Sequence, residues 1–573
     1  MKKRTDKYSK YHVLKPILPD LKDWPIYKLS EDRDAFINEI KTVTAERILS
    51  KYKDRLGAVL AKVVYLERIR IEEEPWKVDP SNEKAFFDKL RSKLAKESLG
   101  KSPEEAREVN EYILDVLLDK YAEEIVGTFN IKTFLFARKF LTRLFNRLLN
   151  TAANRNFERL YGSRFRVTDS MLTVGPVDKL RSLITKGTVV IVPTHFSNLD
   201  SIMIGYYLDA VLGLPAFAYG AGLNLYNTGY TAYFMNRLGA YRVDRRKKNA
   251  LYLATLKENS NLSLQRGTHS LFFPGGTRSR SGSLEKKLKL GLLSTAVEAQ
   301  RANFQNGKDE KIFIVPMILN YHFVLEAPFL IENYLKTTGR EFYIKTKDGT
   351  YSKKKMGKFL WQIFSKSSNI TFSFGEPMDV LGNVVDENGI SIKDGRAINI
   401  QEYFYDENKQ ISANYQRESE YTRILAEHIV DSFHENNVVL SSQLVAFAVF
   451  NILKAKNSSL DIYAILRLSA KEITFDMETV IQVVNQLKDK LFKMELEKKI
   501  ILSKEISLPT KELIENGIQN LGVFHSRKPL KFTKNGQIAS EDFNTLLFYH
   551  NRLENYNLDK VVDIKKEDFS YSE

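Results

Sequence analysis

The chain has 573 residues, of which 43% are hydrophobic and 28% charged, and its formal net charge is +16. This composition is ordinary for a globular protein of roughly two to four domains. The absence of cysteine excludes disulfides, thiolate metal ligands and a cysteine nucleophile. The positive charge favours anionic partners, namely nucleic acid, anionic lipid or phosphorylated substrates.

The N-terminal part is predicted to be a polar arm followed by helices. Residues 1–30 contain three prolines and are predicted to pack loosely. Residues 31–160 follow as a helical region. Within it, Ser102, Pro103 and Glu105 have the pattern of a helix start, because a capping serine precedes a first-turn proline and an acidic residue that closes a capping box.

A basic amphipathic helix is predicted over residues 131–150. Its apolar stripe and its cations lie on different sides: the stripe is Phe140, Leu141, Leu144, Phe145, Leu148 and Leu149, and the cations are Arg138, Lys139, Arg143 and Arg147. Two interpretations fit this pattern. The helix lies in a membrane interface, or it packs on the protein core with a solvated basic face.

Residues 161–395 are predicted to form an α/β domain. Helical patterns alternate there with short apolar runs, at 188–192, 240–243, 270–273, 312–318 and 370–374. The most hydrophobic window, 201–223, is interrupted by glycines and a proline, so it predicts a helix and a buried strand rather than a membrane span. Residues 376–395 are predicted to be a polar linker.

Residues 396–573 are predicted to form a helical C-terminal domain. A buried helix is expected at 441–454, a second helix after Asp476, and a strand-like run at 499–503. No residue of this domain carries a recognisable catalytic pattern, so we predict that it contributes packing and no chemistry.

The most informative stretch is 188–208, which predicts a buried strand, a tight turn and a helix. His195 lies in the turn, and Asp200 falls in the first turn of the helix, where a negative charge is favourable. At the carboxyl edge of a sheet, such an imidazole can act as a base while the carboxylate fixes its tautomer. The alternative is a turn histidine beside a capping aspartate.

Three later segments carry further candidates. Arg245 follows the predicted strand 240–243 and can grip a phosphate or carboxylate, or can simply be solvated. Pro316 interrupts the apolar run 312–318 and indicates a bulge or a strand end. The strand before Pro274 leads into a loop that has the makings of a phosphate cradle, or of an exposed basic turn, with Gly275, Gly276, Thr277, Arg278, Ser279 and Arg280.

These segments, in this order and spacing, resemble the four sequence blocks of the glycerolipid acyltransferases, and most closely the bacterial glycerol-3-phosphate acyltransferase branch. The His-x4-Asp block matches His195 and Asp200, and the arginine of the second block matches Arg245. The third block matches residues 273–279, and the fourth matches the strand with Pro316. Shorter similar stretches lie at 222–227, 237–241, 320–326 and 374–378, with a looser one at 549–556.

The resemblance implies a three-layer αβα domain with a mixed, mostly parallel sheet, flanked by helical N- and C-terminal regions. It also implies transfer of a fatty acyl group from acyl-CoA or acyl carrier protein to the sn-1 hydroxyl of glycerol 3-phosphate, the first step of phospholipid synthesis. His195 is then the general base and Asp200 orients it. The acceptor phosphate is expected to bind Arg245, Arg278, Ser279 and Arg280, and the oxyanion or acyl-donor side is expected to involve Gly275, Gly276, Thr277 and Pro316.

The same resemblance implies no metal and no other cofactor. A nucleic-acid partner, which the charge alone suggests, is not expected, because the sequence has no recognised binding module and no contiguous aromatic and basic surface. The protein is expected to lie peripherally on the cytoplasmic face of the cell membrane, at an anionic lipid surface. One position departs from the family, because Gly275 stands where the third block usually carries a glutamate. The substrate-positioning role of that carboxylate is then supplied elsewhere or is dispensable.

Two alternatives remain open on the sequence. Lysophosphatidate or dihydroxyacetone phosphate could replace glycerol 3-phosphate as the acceptor. The chain could also be a non-catalytic, membrane-associated binding protein on the same fold. Gly275 favours this second alternative, whereas His195, Asp200 and Arg278 oppose it.

Overall fold

The structure is a computed structural model, which describes residues 13–97, 103–152, 171–226, 229–322, 324–338, 370–470, 472–521 and 525–562. The N-terminal region is helical, as predicted, and consists of α1 (Pro25–Glu31), α2 (Arg33–Tyr52), α3 (Leu56–Glu73), α4 (Glu83–Glu97), α5 (Pro103–Ile125) and α6 (Ile131–Ala152). The predicted start of a helix at Pro103 is confirmed, whereas its capping residue Ser102 lies outside the described residues. Apolar side chains of α3 and α5 form a joint core that includes Leu60 and Leu117.

The prediction of a loosely packed N-terminal arm is wrong for residues 13–30. Trp24 is buried and its ring lies against Phe129, with 6.0 Å between ring centroids. Further towards the N-terminus, the backbone N–H of Leu14 donates to the carbonyl of Val211. The prolines therefore do not prevent the segment from packing, and Pro25 is the first residue of α1.

Helix α6 is continuous, as predicted, but its apolar side is only partly buried and its basic side is only partly solvated. Leu141 and Leu144 pack against the core of the α/β domain, whereas Phe136 and Phe140 are more than half exposed. Arg138 is not simply solvated, because its guanidinium forms an ion pair with Asp209, a half-buried residue of the helix Asp200–Ala210. The core-packing interpretation thus holds for Leu141 and Leu144, whereas binding of the exposed side to a membrane interface stays a prediction.

A seven-stranded sheet lies at the centre of the α/β domain, in the order β1-β7-β6-β2-β5-β3-β4. All neighbouring strands are parallel except β6 and β7, which confirms the mixed, mostly parallel sheet. Its strands are β1 (Met171–Val174), β2 (Gly187–Pro193), β3 (Ala218–Gly222), β4 (Ala240–Val243), β5 (Ser270–Leu271), β6 (Lys311–Asn320) and β7 (Ile370–Phe374). Only β1 had no counterpart among the predicted strands.

Helices cover both faces of this sheet. Along β2, Val189 and Ile191 belong to one core cluster, and Val190 and Val192 belong to the cluster on the other face. This alternation explains the continuous apolar run in the sequence. The helices are α7 (Val177–Ile184), α8 (Asp200–Ala210), α9 (Gly229–Met235), α10 (Ala250–Gln265), α11 (Leu290–Gln305) and α12 (Ala327–Thr338).

The interpretation of Pro316 as a bulge or a strand end is wrong. Strand β6 pairs in unbroken register with β2, and Pro316 lies opposite Val192. The missing N–H is tolerated because the side of β6 where it would point faces the end of β7. There Gly375 donates its own N–H to the carbonyl of Pro316.

The prediction of a polar linker over residues 376–395 is also wrong. The segment contributes strands to a small antiparallel sheet of β8 (Val384–Val385), β9 (Ser391–Lys393) and β10 (Arg396–Ile398). Met378 forms a bridge with Ile314 of the central sheet, and Asp379 is buried. Turn-forming polar residues here cap a packed structure and do not separate two domains.

The C-terminal region is mostly helical, as predicted, and its apolar core is continuous with one face of the central sheet. The predicted helix at 441–454 is observed and buried, and Asp476 caps the next long helix. The helices are α13 (Tyr415–Glu435), α14 (Ser441–Lys456), α15 (Ile462–Leu466), α16 (Met477–Leu496), α17 (Thr510–Leu521) and α18 (Phe543–His550). Short strands β11 to β15 lie at Val438–Val439, Thr474–Phe475, Ile501–Leu502, Lys531–Phe532 and Ile538–Ala539.

Among the described residues, no helix combines the length and the apolarity that crossing a bilayer requires.

Candidate active site

The turn between β2 and α8 brings His195 and Asp200 together, as predicted. Strand β2 is central in the sheet, and the N–H of Thr194 donates to the carbonyl of Met317, which fixes the start of the turn. Helix α8 begins at Asp200 and its N-cap is Leu199. His195 therefore lies just beyond the carboxyl end of a parallel strand, where α/β folds bind ligands.

The carboxylate of Asp200 is buried and organises the turn. Its Oδ2 accepts hydrogen bonds from Nδ1 of His195 at 2.9 Å and from the backbone N–H groups of Phe196 and Ser197 at 2.7 and 2.9 Å. Its Oδ1 accepts the hydroxyl hydrogen of Tyr321 at 2.6 Å. Because a carboxylate only accepts, Nδ1 of His195 carries the proton and Nε2 is left as a basic nitrogen.

The ring of His195 is held in one orientation but remains accessible. It stacks on Phe273 with 4.0 Å between ring centroids, and 16% of its side chain is exposed. Nε2 makes no hydrogen bond to the part of the chain that the structure describes. The backbone carbonyl of His195 accepts the N–H of Ser279, which ties the turn to the glycine-rich loop. A base with this geometry can take a proton from a bound hydroxyl.

The predicted site residues of the glycine-rich loop differ in their exposure and in their contacts with the turn that carries His195. Gly276 has φ +78°, so this position requires glycine. Thr277 and Arg280 are exposed. The hydroxyl of Ser279 donates to the carbonyl of Ser283, so it supports the loop itself. The structure thus brings the backbone of Ser279, rather than its hydroxyl, to the catalytic turn.

Arg278 reaches the catalytic turn through Glu326, a buried residue that the sequence did not single out. The Glu326 carboxylate accepts the Ser197 hydroxyl hydrogen and the Asn198 N–H, each at 3.0 Å. Arg278 Nη1 lies 3.5 Å from the same carboxylate. Glu326 therefore joins the turn, the loop and the segment before α12. The only available signal was its place in the stretch 320–326 that resembles the acyltransferases.

The C-terminal region also brings a side chain to the site, whereas the prediction that it carries no chemistry stays untested. Arg552, in the 3-10 helix Asn551–Tyr556, is buried and its guanidinium lies 4.2 Å from the ring centroid of Phe196. It donates to the side chains of Asn437 and Asn320 at 3.0 and 2.8 Å. Burial lowers the pKa of Arg552 to about 10, and nearby Tyr556, Glu285, Tyr321 and Asp200 oppose this decrease. A buried cation thus faces the acidic side of the catalytic turn.

A third carboxylate beside the turn belongs to Glu285. Its Oε1 lies 3.4 Å from the backbone nitrogen of His195, and its side chain lies against Gly275. Burial raises the pKa of Glu285 to about 7. No sequence pattern pointed to this residue, which lies in a stretch rich in lysine.

Arg245 is exposed at the end of the edge strand β4. Strands β5 and β3 lie between β2 and β4, so the two strand ends are about 14 Å apart at the usual strand spacing. Both ends face the same edge of the sheet, because these strands are parallel. The neighbouring cations Arg246 and Lys247 pair with acidic residues of the helical region and of the strand end. Phosphate binding by Arg245 stays a prediction.

An apolar cavity of about 150 Å³ borders α8 along most of its length, from Ser201 to Asp209. It lies between this helix and α6, and its wall includes Phe134, Leu141, Ile202, Gly205 and Phe217. A side chain added at Gly205 would meet nothing within 4 Å. The cavity suits an apolar ligand segment. In the described ranges, no group of three or more histidine or acidic side chains could hold a metal ion.

Comparisons with known proteins agree with the resemblance. A family model described as Acyltransferase matches residues 175–320. A protein of Alteromonas mediterranea named glycerol-3-phosphate acyltransferase is 24% identical over 362 residues, which cover 60% of this chain and 38% of that protein. A protein of Aeromonas hydrophila with the same name is 28% identical over 224 residues, 39% of this chain and 24% of that protein.

A third relative of the same name, from Actinobacillus succinogenes, is 28% identical over 251 residues, 42% of this chain and 28% of that protein. The chain thus spans about a quarter to two-fifths of the length of these relatives. The matched segment contains β2, the catalytic turn, the glycine-rich loop and β6. Residues 175–320 therefore match an acyltransferase family model, and the chain that carries them is similar to bacterial glycerol-3-phosphate acyltransferases.

Proposed function

We propose that this chain is an acyltransferase that moves a fatty acyl group from a thioester donor to the sn-1 hydroxyl of glycerol 3-phosphate. The observation that carries the proposal is the His195–Asp200 pair, which presents a basic Nε2 at the carboxyl end of β2 within the segment that matches the acyltransferase family model. The names of the similar proteins support glycerol 3-phosphate as the acceptor. The donor is acyl-CoA or acyl carrier protein.

The proposed reaction needs no covalent acyl-enzyme and no cofactor. Nε2 of His195 takes the proton of the acceptor hydroxyl as its oxygen attacks the thioester carbonyl. The C–S bond then breaks, and the imidazolium returns the proton to the thiolate that leaves. Asp200 stays ionised and stabilises the imidazolium through Nδ1, as expected of a carboxylate in this position.

The acceptor phosphate is proposed to bind near Arg278. Arg278 is partly exposed and only loosely engaged by Glu326, so its guanidinium can turn towards a bound anion. Arg280 is exposed beside it and adds positive charge. Arg245 lies at the end of β4, three strands from β2 along the same sheet edge. We propose that it does not bind the phosphate directly but helps to attract the anionic acceptor.

The acyl chain of the donor is proposed to occupy the apolar cavity between α6 and α8. The cavity begins at the first turn of α8, close to the residues that hold His195. Gly205 lines this space and a Cβ added there meets nothing within 4 Å, so a leucine at this position should reduce the volume that an acyl chain can fill. The variant should therefore prefer shorter acyl thioesters than the wild type. An unchanged chain-length profile would place the acyl chain elsewhere.

Helix α6 is proposed to dock the protein peripherally on the cytoplasmic leaflet. The exposed apolar side chains Leu135, Phe136 and Phe140 lie beside the exposed cations Lys139 and Arg143. This is the composition of a helix that binds an anionic interface. Replacing Lys139 and Arg143 by glutamine should weaken binding to vesicles that contain phosphatidylglycerol.

The matched control for this docking surface is a double variant with Lys393 and Arg396 replaced by glutamine. These cations are exposed on the small antiparallel sheet and carry the same charge. If both double variants lost vesicle binding equally, net charge alone would explain the attraction and the docking role of α6 would be wrong.

The acceptor is tested by transfer of labelled palmitate from palmitoyl-CoA, or from palmitoyl carrier protein, in detergent. Glycerol 3-phosphate, dihydroxyacetone phosphate and lysophosphatidate are offered in parallel. We expect lysophosphatidate to form from glycerol 3-phosphate. Transfer only to lysophosphatidate would move the protein to the second acylation, and transfer to no acceptor from either donor would favour a binding protein on this fold.

A further inference from the structure

Glu285 lies at the catalytic turn without a role in the proposed reaction. Its Oε1 is 3.4 Å from the backbone nitrogen of His195 and accepts that N–H. Its Oε2 is buried and accepts no hydrogen bond from the residues that the structure describes. A buried carboxylate oxygen without a donor costs stability, and such costs are concentrated at functional sites.

Glu285 occupies the space that a side chain at position 275 would fill. A Cβ built on Gly275 would lie 3.1 Å from both Cγ and Oε1 of Glu285, and the three nearest heavy atoms all belong to this one side chain. The backbone of Gly275 does not have a positive φ, unlike that of Gly276, so it can accept another residue. A carboxylate carried by either position would therefore reach the same place beside His195.

The charges around Glu285 come from several parts of the chain. Burial raises its pKa to about 7, and Asp200 acts in the same direction. Its own N–H, the His195 N–H and the Arg552 guanidinium oppose the increase. His434, on α13, interacts with the Glu285 backbone. The carboxylate is thus poised to gain or lose its charge near neutral pH.

We propose that Glu285 is a positioning residue of the active site, and that it supplies from position 285 the carboxylate that position 275 lacks. This inference rests on the proposed acyl transfer. The ionised carboxylate accepts the backbone N–H of His195 and so holds the turn. It also stabilises the positive charge that the imidazole acquires when it takes the acceptor proton. Arg552, which approaches from the C-terminal region, favours the ionised form.

The test measures kcat and the acceptor KM for the full chain and its variants in detergent, between about pH 6 and 9. Glu285→Gln keeps the shape and can still accept the His195 N–H, but it removes the charge. Its kcat should be about 10-fold below wild type at high pH, with little change in acceptor KM. This deficit should shrink towards pH 6, because the wild-type carboxylate is also protonated there.

A second variant exchanges the two positions. Glu285→Ala should lose activity, and the double variant Gly275→Glu/Glu285→Ala should recover most of the lost kcat, because the new side chain enters the vacated space. Thermal unfolding at pH 8 should show that Glu285→Gln is at least as stable as wild type. If the carboxylate had only a structural role, its neutralisation would lower the unfolding temperature. Glu310→Gln, an exposed neutralisation before β6, is the matched control.

Three results would overturn the inference while leaving acyl transfer intact. One is a wild-type kcat for Glu285→Gln at every pH, the second is a deficit that does not change with pH, and the third is a folded exchange variant no more active than Glu285→Ala. Absence of acyl transfer by the wild-type chain would instead overturn the proposed function and this inference together.

Discussion

The two sides of the active site are built in different ways. On one side, His195 and Asp200 lie within one short turn, and Oδ2 of Asp200 accepts hydrogen bonds from His195, Phe196 and Ser197, all within five positions of it. On the other side, Glu285, Glu326 and Arg552 come from a loop, from the segment before α12 and from the C-terminal region. The first side depends on local sequence, and the second depends on the packing of the whole chain.

This difference separates the residues proposed to carry out the reaction from those that support them. The turn alone can present a base with a fixed tautomer, because Asp200 accepts hydrogen bonds from the imidazole and from the backbone N–H groups of the turn. The distant side chains determine the charge around that base. Variants of the turn should therefore remove catalysis while the fold persists, and variants of Glu326 and Arg552 should reduce stability and activity together.

The largest effect is expected for Asp200→Asn. The carboxamide cannot stabilise the imidazolium, and its NH₂ group can favour the wrong tautomer of His195. We expect kcat to fall roughly 10²–10⁴-fold, whereas binding of the acceptor should change little. Steady-state kinetics measure both.

Asp178→Asn is the matched control for this variant, because Asp178 also lies in the first turn of a helix on the sheet but is exposed. A fully active Asp200→Asn protein would show that the turn does not hold a catalytic base.

A smaller effect on activity, together with a loss of stability, is expected for Arg552→Met. The change leaves the side-chain oxygens of Asn320 and Asn437 without this donor and leaves nearby carboxylates without a buried cation. Breaking a buried charge network costs about 3 kcal/mol of the free energy of unfolding. Denaturant unfolding and kcat should change in parallel.

Arg552→Lys keeps the charge and should retain part of the stability, although not the geometry of the fork. A protein that loses activity as Arg552→Met but unfolds at the wild-type denaturant concentration would assign Arg552 to the reaction itself and would weaken the distinction between the two sides.

A still smaller effect concerns His550, which precedes the 3-10 helix that carries Arg552. Burial lowers its pKa to about 4, from about 6.5 in an unfolded chain. The unfolded state therefore binds the proton more readily, and stability should decrease as the pH falls from 6.5 to 4. The ring stacks on Phe447 with 4.6 Å between centroids, so His550→Phe keeps an aromatic ring there.

The expected result for His550→Phe is a weaker dependence of the free energy of unfolding on pH, by about 2 kcal/mol across this interval. If His550→Phe and wild type lost stability equally in acid, other groups would be responsible for the acid sensitivity of this side.

The sequence predicted the local side of the site well for a physical reason. A β-branched run, a turn and a first-turn aspartate determine β2, His195 and Asp200 with little help from the rest of the chain. The strands at 240–243 and 370–374 were likewise predicted within their observed bounds, because their apolar patterns are local.

Packing decided what the sequence could not predict. Arg138 was expected to be solvated, but α6 crosses α8 and pairs it with Asp209. Pro316 indicated an interruption of the strand, but β6 pairs with β2 without a break. The N–H that proline lacks would point to the end of β7, where Gly375 donates to the Pro316 carbonyl. Glu326 and Arg552 lay in stretches similar to the acyltransferases without a visible role, and Glu285 had no sequence signal because its contact with Gly275 exists only in the folded loop.

The most direct test of the central claim is the rate of acyl transfer to glycerol 3-phosphate by wild type, His195→Ala and His428→Ala, measured side by side with labelled palmitoyl thioester. The account predicts that His195→Ala remains folded and loses roughly 10²–10⁴-fold in kcat, the usual loss when a general base is removed. His428→Ala should keep the wild-type rate. A folded His195→Ala protein that transfers the acyl group at the wild-type rate would contradict the account.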